Sequence, residues 1–267
     1  MKSKKLDRYP SKWTFKKSRL VFILRMIWLF FRGNGGVLFG QGIHYIDGVT
    51  GGGKTILMNM IRLDLLGFGG FGWTNIDEFY NSYKWADKYH SCNAKMIPFD
   101  LEKLFDNGKQ IYKLPKMIDG QRCKLLVLDE LNGIFNRRSN KQKDYNDIFI
   151  PLQKMLLTHR HRIADRVYLI GQSLLIQDTQ FQQIVKYRHF VTSSKRFQYW
   201  YYRENNAMIK LPKKLIIETM IKTGIAPNGD PIWSKPKKMK IRVLISDFLS
   251  YNTHAFAMLD DGLPDYK

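Results

Sequence analysis

Gly48-Val49-Thr50-Gly51-Gly52-Gly53-Lys54-Thr55 follows the pattern G-x-x-x-x-G-K-[ST], the spacing of a phosphate-binding loop. A nucleoside triphosphate carries several negative charges on a compact tail. Backbone N–H groups at a loop-to-helix junction, together with the positive helix end, cradle such charges. The backbone must approach closely, so most of the loop has no Cβ. Gly48, Val49, Thr50, Gly51, Gly52, Gly53, Lys54, Thr55 and Ile56 are the candidate nucleotide contacts. Lys54 is placed to reach the β- and γ-phosphates, and the Thr55 hydroxyl to take one Mg²⁺ position.

Working outward, Gly42-Ile43-His44-Tyr45-Ile46-Asp47 reads as a short buried strand entering the loop. The apolar spacing from Thr55 to Leu66 reads as the helix leaving it, ended by Gly67. Downstream, Lys124-Leu125-Leu126-Val127-Leu128-Asp129-Glu130 is an apolar run ending in two carboxylates. Four consecutive apolar residues suit a central parallel strand covered on both faces. Ligands bind at the carboxyl ends of such strands. Asp129 is the expected Mg²⁺ carboxylate, and Glu130 the group that polarises the attacking water. Arg166-Val167-Tyr168-Leu169-Ile170-Gly171-Gln172 is another buried strand. At its end, Gln172 is expected to sense the γ-phosphate from a strand beside the one bearing Asp129.

At 267 residues the chain is long enough for one large α/β domain with appendages. Two cysteines, Cys92 and Cys123, make neither a metal spacing nor a disulfide framework, which favours a reducing compartment. The net charge of +21 concerns partners rather than fold. Lys2, Lys4, Lys5, Arg8, Lys12, Lys16, Lys17 and Arg19 face one acid, Asp7. A second group, Lys210, Lys213, Lys214, Lys222, Lys235, Lys237, Lys238, Lys240 and Arg242, faces Glu218 and Asp230. Two blocks of like charge call for a polyanion, either nucleic acid or anionic lipid.

The apolar run Leu20–Phe31 spans twelve residues with Arg25 inside it, short of the ~20 needed to cross a bilayer. It reads either as a membrane-surface helix behind a basic arm or as a helix packed on the domain core. Elsewhere the pattern is α/β. Strands are expected at Phe71–Ile76, Tyr187–Thr192 and Phe197–Tyr202, with helical pieces near Tyr80–Tyr89 and Asp100–Asp106. A helix through Ile148, Leu152, Met155 and Leu156 closes on His159-Arg160-His161-Arg162, and a short one lies near Phe181–Val185. Arg160 and Arg188 are the two candidates for an arginine donated to a neighbouring subunit's γ-phosphate. For Arg160 the plain alternative is a cation favoured at a helix C-terminus. Arg137, Arg138, Lys141 and Lys143 form a polar basic loop, either solvated or facing DNA.

Five segments in order carry a family resemblance: residues 48–55; Trp73-Thr74-Asn75-Ile76; Leu128-Asp129-Glu130 with Phe135 and Arg137-Arg138; Thr158-His159-Arg160-His161; and Leu169-Ile170-Gly171-Gln172-Ser173 followed by Tyr187-Arg188-His189-Phe190. On these, over roughly residues 40 to 205, the chain resembles the zonula occludens toxin-like ATPases of filamentous phage assembly, within the FtsK/HerA-like P-loop group. The resemblance implies a RecA- or FtsK/HerA-like P-loop NTPase, a three-layer α/β sandwich around a central, mostly parallel sheet. It implies ATP and Mg²⁺ as cofactors and a homo-oligomeric ring, often a hexamer. It also implies viral DNA as a partner, with the inner face of the host cell membrane or a membrane-anchored viral protein nearby. Family members usually carry a transmembrane helix after the ATPase domain. This sequence has none there, so the N-terminal helix or a partner is expected to supply the membrane contact.

The expected organisation is a basic arm and apolar helix over 1–40, the ATPase domain over 41–205 and a basic extension over 206–267. The function expected is a DNA motor of extrusion or packaging. A nucleotide-regulated, membrane-associated morphogenesis or host-interaction protein that moves no DNA is the second reading. A small-molecule kinase lacks an acceptor motif and leaves the basic excess unexplained.

Overall fold

A computed structural model describes residues 23, 24, 27, 31, 35–66, 69–75, 95–106, 109–110, 113–129, 149–177, 179–202 and 207–244. Among them, α1 (Gly35–Leu38) leads into β1 (Gly42–Asp47), α2 (Lys54–Leu66), β2 (Phe71–Thr74) and β3 (Lys95–Pro98). A 3₁₀ turn (Glu102–Leu104) and four strands follow: β4 (Phe105–Asp106), β5 (Lys109–Gln110), β6 (Met117–Ile118) and β7 (Gln121–Leu128). Then come α3 (Ile150–Leu157), α4 (His159–Arg162), β8 (Arg166–Ile170), a second 3₁₀ turn (Leu174–Ile176), α5 (Thr179–Ile184) and β9 (Tyr187–Ser193). The last five are β10 (Phe197–Tyr202), β11 (Ala207–Pro212), β12 (Lys214–Ile225), β13 (Pro231–Trp233) and β14 (Lys237–Arg242).

The main sheet runs β13-β12-β9-β1-β8-β7-β2-β3. From β9 to β3 every pairing is parallel. This mixed α/β sheet is the architecture of the P-loop NTPases, with the strand entering the glycine loop central. β7 and β8 turn apolar toward their carboxyl ends, at Leu125–Leu128 and Val167–Ile170, where helices cover both faces. On one face α2 packs Ile56, Leu57, Met60, Ile61 and Leu63 over Ile46, Val127, Tyr168 and Ile170. On the other, Leu152, Met155 and Leu156 of α3 and Phe181 of α5 cover Tyr45, Leu126, Leu128, Val167 and Leu169.

Several expectations change. Past residue 206, in the stretch expected as a basic extension, the described residues join the sheet edge: β12 pairs antiparallel with β9 from Leu215↔Ser193 to Ile221↔Tyr187, and β14 adds beyond it. Leu215, Ile217 and Thr219 alternate inward, so this stretch completes the core instead of trailing from it. The piece expected as helical at Asp100–Asp106 is one 3₁₀ turn and a two-residue strand. The His-Arg-His segment is a separate turn of helix: Thr158 (φ −99°, ψ 4°) interrupts the helix between α3 and α4. The helical piece at Tyr80–Tyr89, the loop at 136–143, Cys92 and Glu130 lie outside the described residues.

A polar thread crosses the sheet beneath α2. His44 (β1), His189 (β9) and Thr219 (β12) are all buried. His44 Nε2–H donates to the Gly40 carbonyl (2.8 Å), which leaves Nδ1 to accept from His189 Nε2–H (2.9 Å). His189 Nδ1 then accepts from the Thr219 hydroxyl (2.9 Å). Tyr168 and Tyr187 stack against the His44 ring, each with centroids 4.5 Å away. Burial pushes His189 down to about 3, and His44 well below its ordinary value. As pH falls below ~6.5 the unfolded chain binds protons on these rings and the folded chain does not. The stability of the neutral pair is therefore full above that pH and is lost as acid approaches His189's lowered value. Between pH 7.5 and pH 5, His189 alone costs about 2 kcal/mol. Urea midpoints across this interval should fall steadily in the wild type and less in His189→Gln; equal slopes would overturn the argument.

Candidate functional site

Three parallel strand ends meet at one edge of the sheet. β1 ends in the glycine loop, β7 ends at Asp129, and β8 lies between them and leads to Gln172. At a strand spacing near 4.8 Å, the outer two ends stand ~10 Å apart. That gap accommodates a polyphosphate tail.

The loop is moulded onto its neighbours. A Cβ on Gly48 (φ +151°) would sit 2.3 Å from the Val191 carbonyl oxygen, and one on Gly53 (φ +94°) 2.6 Å from Leu215 Cδ2. Both positions need glycine for conformation and for space. Gly48 N–H donates to the Gln172 carbonyl (3.3 Å), tying the loop to the end of β8. The loop then opens into the 13-residue α2, whose first turn contains no acid. The free N–H groups of that turn therefore keep their attraction for an anion.

Lys54 is half-buried, with Nζ donating to the carbonyls of Gly48 (3.0 Å) and Val49 (3.2 Å). Loss of water lowers its pKa, while Asp129 and Asp47 pull it back up. Both carboxylates thus favour the charged form of the loop lysine. Asp129 is positioned by Asn75 at the end of β2: its N–H donates to Asn75 Oδ1 (2.8 Å) and its carbonyl accepts from Nδ2 (3.1 Å). Thr55 lies at the start of α2, partly exposed, on this same edge. The Ile56 side chain is buried in the core, so only its backbone is available to a ligand. The Gln172 side chain is exposed at the edge.

The two candidate arginines part company. Arg160 Nη2 donates to Gln41 Oε1 (2.7 Å) at the amino end of β1. The six-residue strand puts that end ~20 Å from the loop. Arg188 rises from β9 toward its own chain's loop and grips Asp47 Oδ2 through Nε (2.9 Å) and Nη2 (2.7 Å). The Leu174 N–H also donates to Asp47 Oδ2 (3.3 Å). The Asp47 side chain is 1% exposed and that of Arg188 14%. Burial raises the Asp47 pKa and Arg188 opposes the rise. Arg188 is thus held by Asp47 of its own chain.

Asp47 and Asn75 were visible as polar residues ending apolar strands, yet no spacing rule marks them. Asn75 stood inside a family-like segment without a role, and the partner of Asp47 lies 141 residues away. His159 is buried and donates Nδ1–H to the Leu156 carbonyl, with a pKa lowered by burial. Its place is in the turn between α3 and α4. Cys123 is buried, and burial pushes its thiol up to about 12.

The loop, Lys54, Thr55 and Asp129 fit a nucleoside triphosphate and Mg²⁺: the glycines leave a cradle, the helix end is free of acid, and one carboxylate-bearing residue, Asp129, stands at a strand end on the same edge. Among the described residues, no helix is long and apolar enough to cross a membrane.

No family model matches the chain. It is similar to an uncharacterised 37.2 kDa protein of Acholeplasma phage L2, with 28% identity over 192 residues, covering 68% of this chain and 56% of that one. The chain therefore spans a little over half of that relative's length. Among solved structures it is similar to the N-terminal domain of zonular occludens toxin from Neisseria meningitidis, with 15% identity and a TM-score of 0.42, covering 79% of this chain and 99% of that one.

Proposed function

We propose that this chain is an ATP-hydrolysing phage motor of the zonula occludens toxin-like kind, acting on viral DNA in virion extrusion or genome packaging. The observation that carries the reading is the placement of the glycine loop with Lys54 and of Asp129 at the ends of two strands that flank β8. The similarity to a phage protein supports the viral setting. Bound ATP and Mg²⁺ would supply the phosphoanhydride and the Lewis acid. In this reading the Gly48–Thr55 backbone holds the phosphates, with the Ile56 N–H at its margin. Lys54 balances their charge, and Thr55 and Asp129 hold the metal. Glu130 orients water, and Gln172, tied to the loop through its own backbone, reports the γ-phosphate. Arg160, at the far edge, is the residue we assign to a neighbouring copy's site in a ring, since its own loop is out of reach. ATP hydrolysis by the purified chain, and its loss on replacing Lys54, tests the reading.

One observation favours a membrane-associated role alongside or instead of DNA movement. Ile23, Leu24, Ile27 and Phe31 are 40%, 54%, 46% and 82% exposed, at a spacing that shares one helical face. The lysine-rich arm precedes them, and basic residues beside an exposed apolar face favour anionic lipid. Flotation with vesicles containing phosphatidylglycerol should carry the wild-type chain upward and leave Leu24→Asp/Ile27→Asp behind. Equal flotation of both would reject this contact.

A further inference from the structure

β9 and β12 do not stop where they leave the sheet. Their ends, beside the phosphate loop, run on into the β10–β11 hairpin. The crossing points are tied by Ser194 N–H to the Lys214 carbonyl (2.9 Å) and Lys213 N–H to the Arg196 carbonyl (2.8 Å). The hairpin pairs in unbroken register from Phe197↔Pro212 to Tyr202↔Ala207. Leu211 is buried, and Gln198 Nε2 donates to the Val243 carbonyl (2.9 Å), so their face meets the body. Alternation places Phe197, Tyr199 and Lys210 on the other face. Phe197 is 36% exposed, and Lys210 Nζ sits 4.7 Å over its ring.

The charge here is one-sided. Residues 195–214 hold six basic residues, Lys195, Arg196, Arg203, Lys210, Lys213 and Lys214, against Glu204 alone. At the hairpin base Lys214 stands directly opposite Arg242, and Lys240 is two residues further along β14 on the same side. Like charges facing each other across a ladder repel, and a polyanion would relieve that repulsion. Aromatic faces interleaved with cations are how proteins hold single-stranded nucleic acid: the rings stack on bases and the cations follow the phosphates. The segment joining the two strands, Arg203-Glu204-Asn205-Asn206, is polar and offers nothing to bury in hydrocarbon, which favours nucleic acid over lipid.

We infer that the outer face of the β10–β11 hairpin, with Phe197, Tyr199 and Lys210 above the Arg196, Lys213 and Lys214 base, is a binding surface for single-stranded DNA. The inference rests on the motor reading for its purpose, since it names where the moved strand would be held. It also supplies a route of coupling. The loop glycines lie so close to Val191 and Leu215 that a Cβ has no room there, a few residues from the hairpin base, so a shift of the loop would be passed to β9 and β12.

The test is fluorescence anisotropy of the full chain with labelled oligo-dT and with a duplex of equal length across a salt series, with ATP turnover measured beside it. Wild type should prefer oligo-dT. Phe197→Ala should bind it roughly 5- to 100-fold more weakly. Lys210→Gln should reduce the slope of log affinity on log salt by about 0.7. Both should keep DNA-free ATP turnover. Lys210 is exposed, so its variant decides the matter should the Phe197 variant melt early. Equal oligo-dT binding by wild type and both variants would overturn the hairpin assignment while leaving the motor reading standing. No DNA binding by an ATP-hydrolysing wild type, or binding to anionic vesicles in its place, would overturn it as well. DNA binding lost in the variants of a chain that never hydrolyses ATP would support the surface and reject the motor.

Discussion

Lys54→Ala should abolish ATP turnover, lowering it by at least ~10²-fold, the scale of removing one charged donor from a transition-state cradle. Affinity for ATP should weaken by ~10-fold or more, the value of a hydrogen bond to a charged group. The fold should not suffer. The ammonium donates to the Gly48 and Val49 carbonyls and has lost part of its water. Alanine removes that desolvated charge, so unfolding midpoints should move by no more than about 1 kcal/mol. A variant that folds, binds ATP and still turns it over within a few-fold of wild type would sink the catalytic assignment. Glu130→Gln is the companion: binding retained, turnover lost.

The second large effect concerns stability. Arg188→Ala leaves the buried Asp47 carboxylate without its cation. Breaking one side of a buried pair costs ~3–5 kcal/mol. Protonation of Asp47 limits that cost, because burial already raises its pKa and Arg188 is what opposes the rise. A carboxyl whose folded pKa lies above its unfolded value stabilises the fold at low pH and ceases to as pH climbs through the folded value. The variant's deficit should therefore be larger at pH 7 than at pH 4. Asp47→Asn combined with Arg188→Met should recover much of the loss, giving a coupling energy above ~1 kcal/mol in urea unfolding. A deficit under ~0.5 kcal/mol, unchanged with pH, would mean the pair behaves as a surface contact.

The strands that build the nucleotide edge were legible because burial on both faces favours apolar runs, as at Leu125–Leu128 and Val167–Ile170. β1 runs from Gly42 to Asp47 as expected, with the polar His44 inside it, and β8 flanks β7 as the placement of Gln172 required. α2 followed from the glycine loop and its apolar spacing. The stretch at 100–106 misled because Leu101, Leu104 and Phe105 are buried at i, i+3 and i+4, a helical spacing that one 3₁₀ turn also satisfies. The alternation of Leu215, Ile217 and Thr219 was present in the sequence, but the abundance of lysine around it suggested an appendage where there is a strand. Of the candidate site, the loop and Asp129 could be found by spacing. The grip of Arg188 on Asp47 and of Asn75 on Asp129 could not, since each joins residues that only the folded sheet brings together.

β14 also sets a rule for assembly. Beside β12 it forms one rim of the sheet, carrying Lys237, Lys238, Lys240 and Arg242, all exposed. Two copies laid rim to rim there would align rows of ammonium and guanidinium groups, and that repulsion bars a sheet running unbroken from one molecule into the next. Copies that gather must meet by some other face than this rim laid against itself, and raising the ionic strength should relax the prohibition.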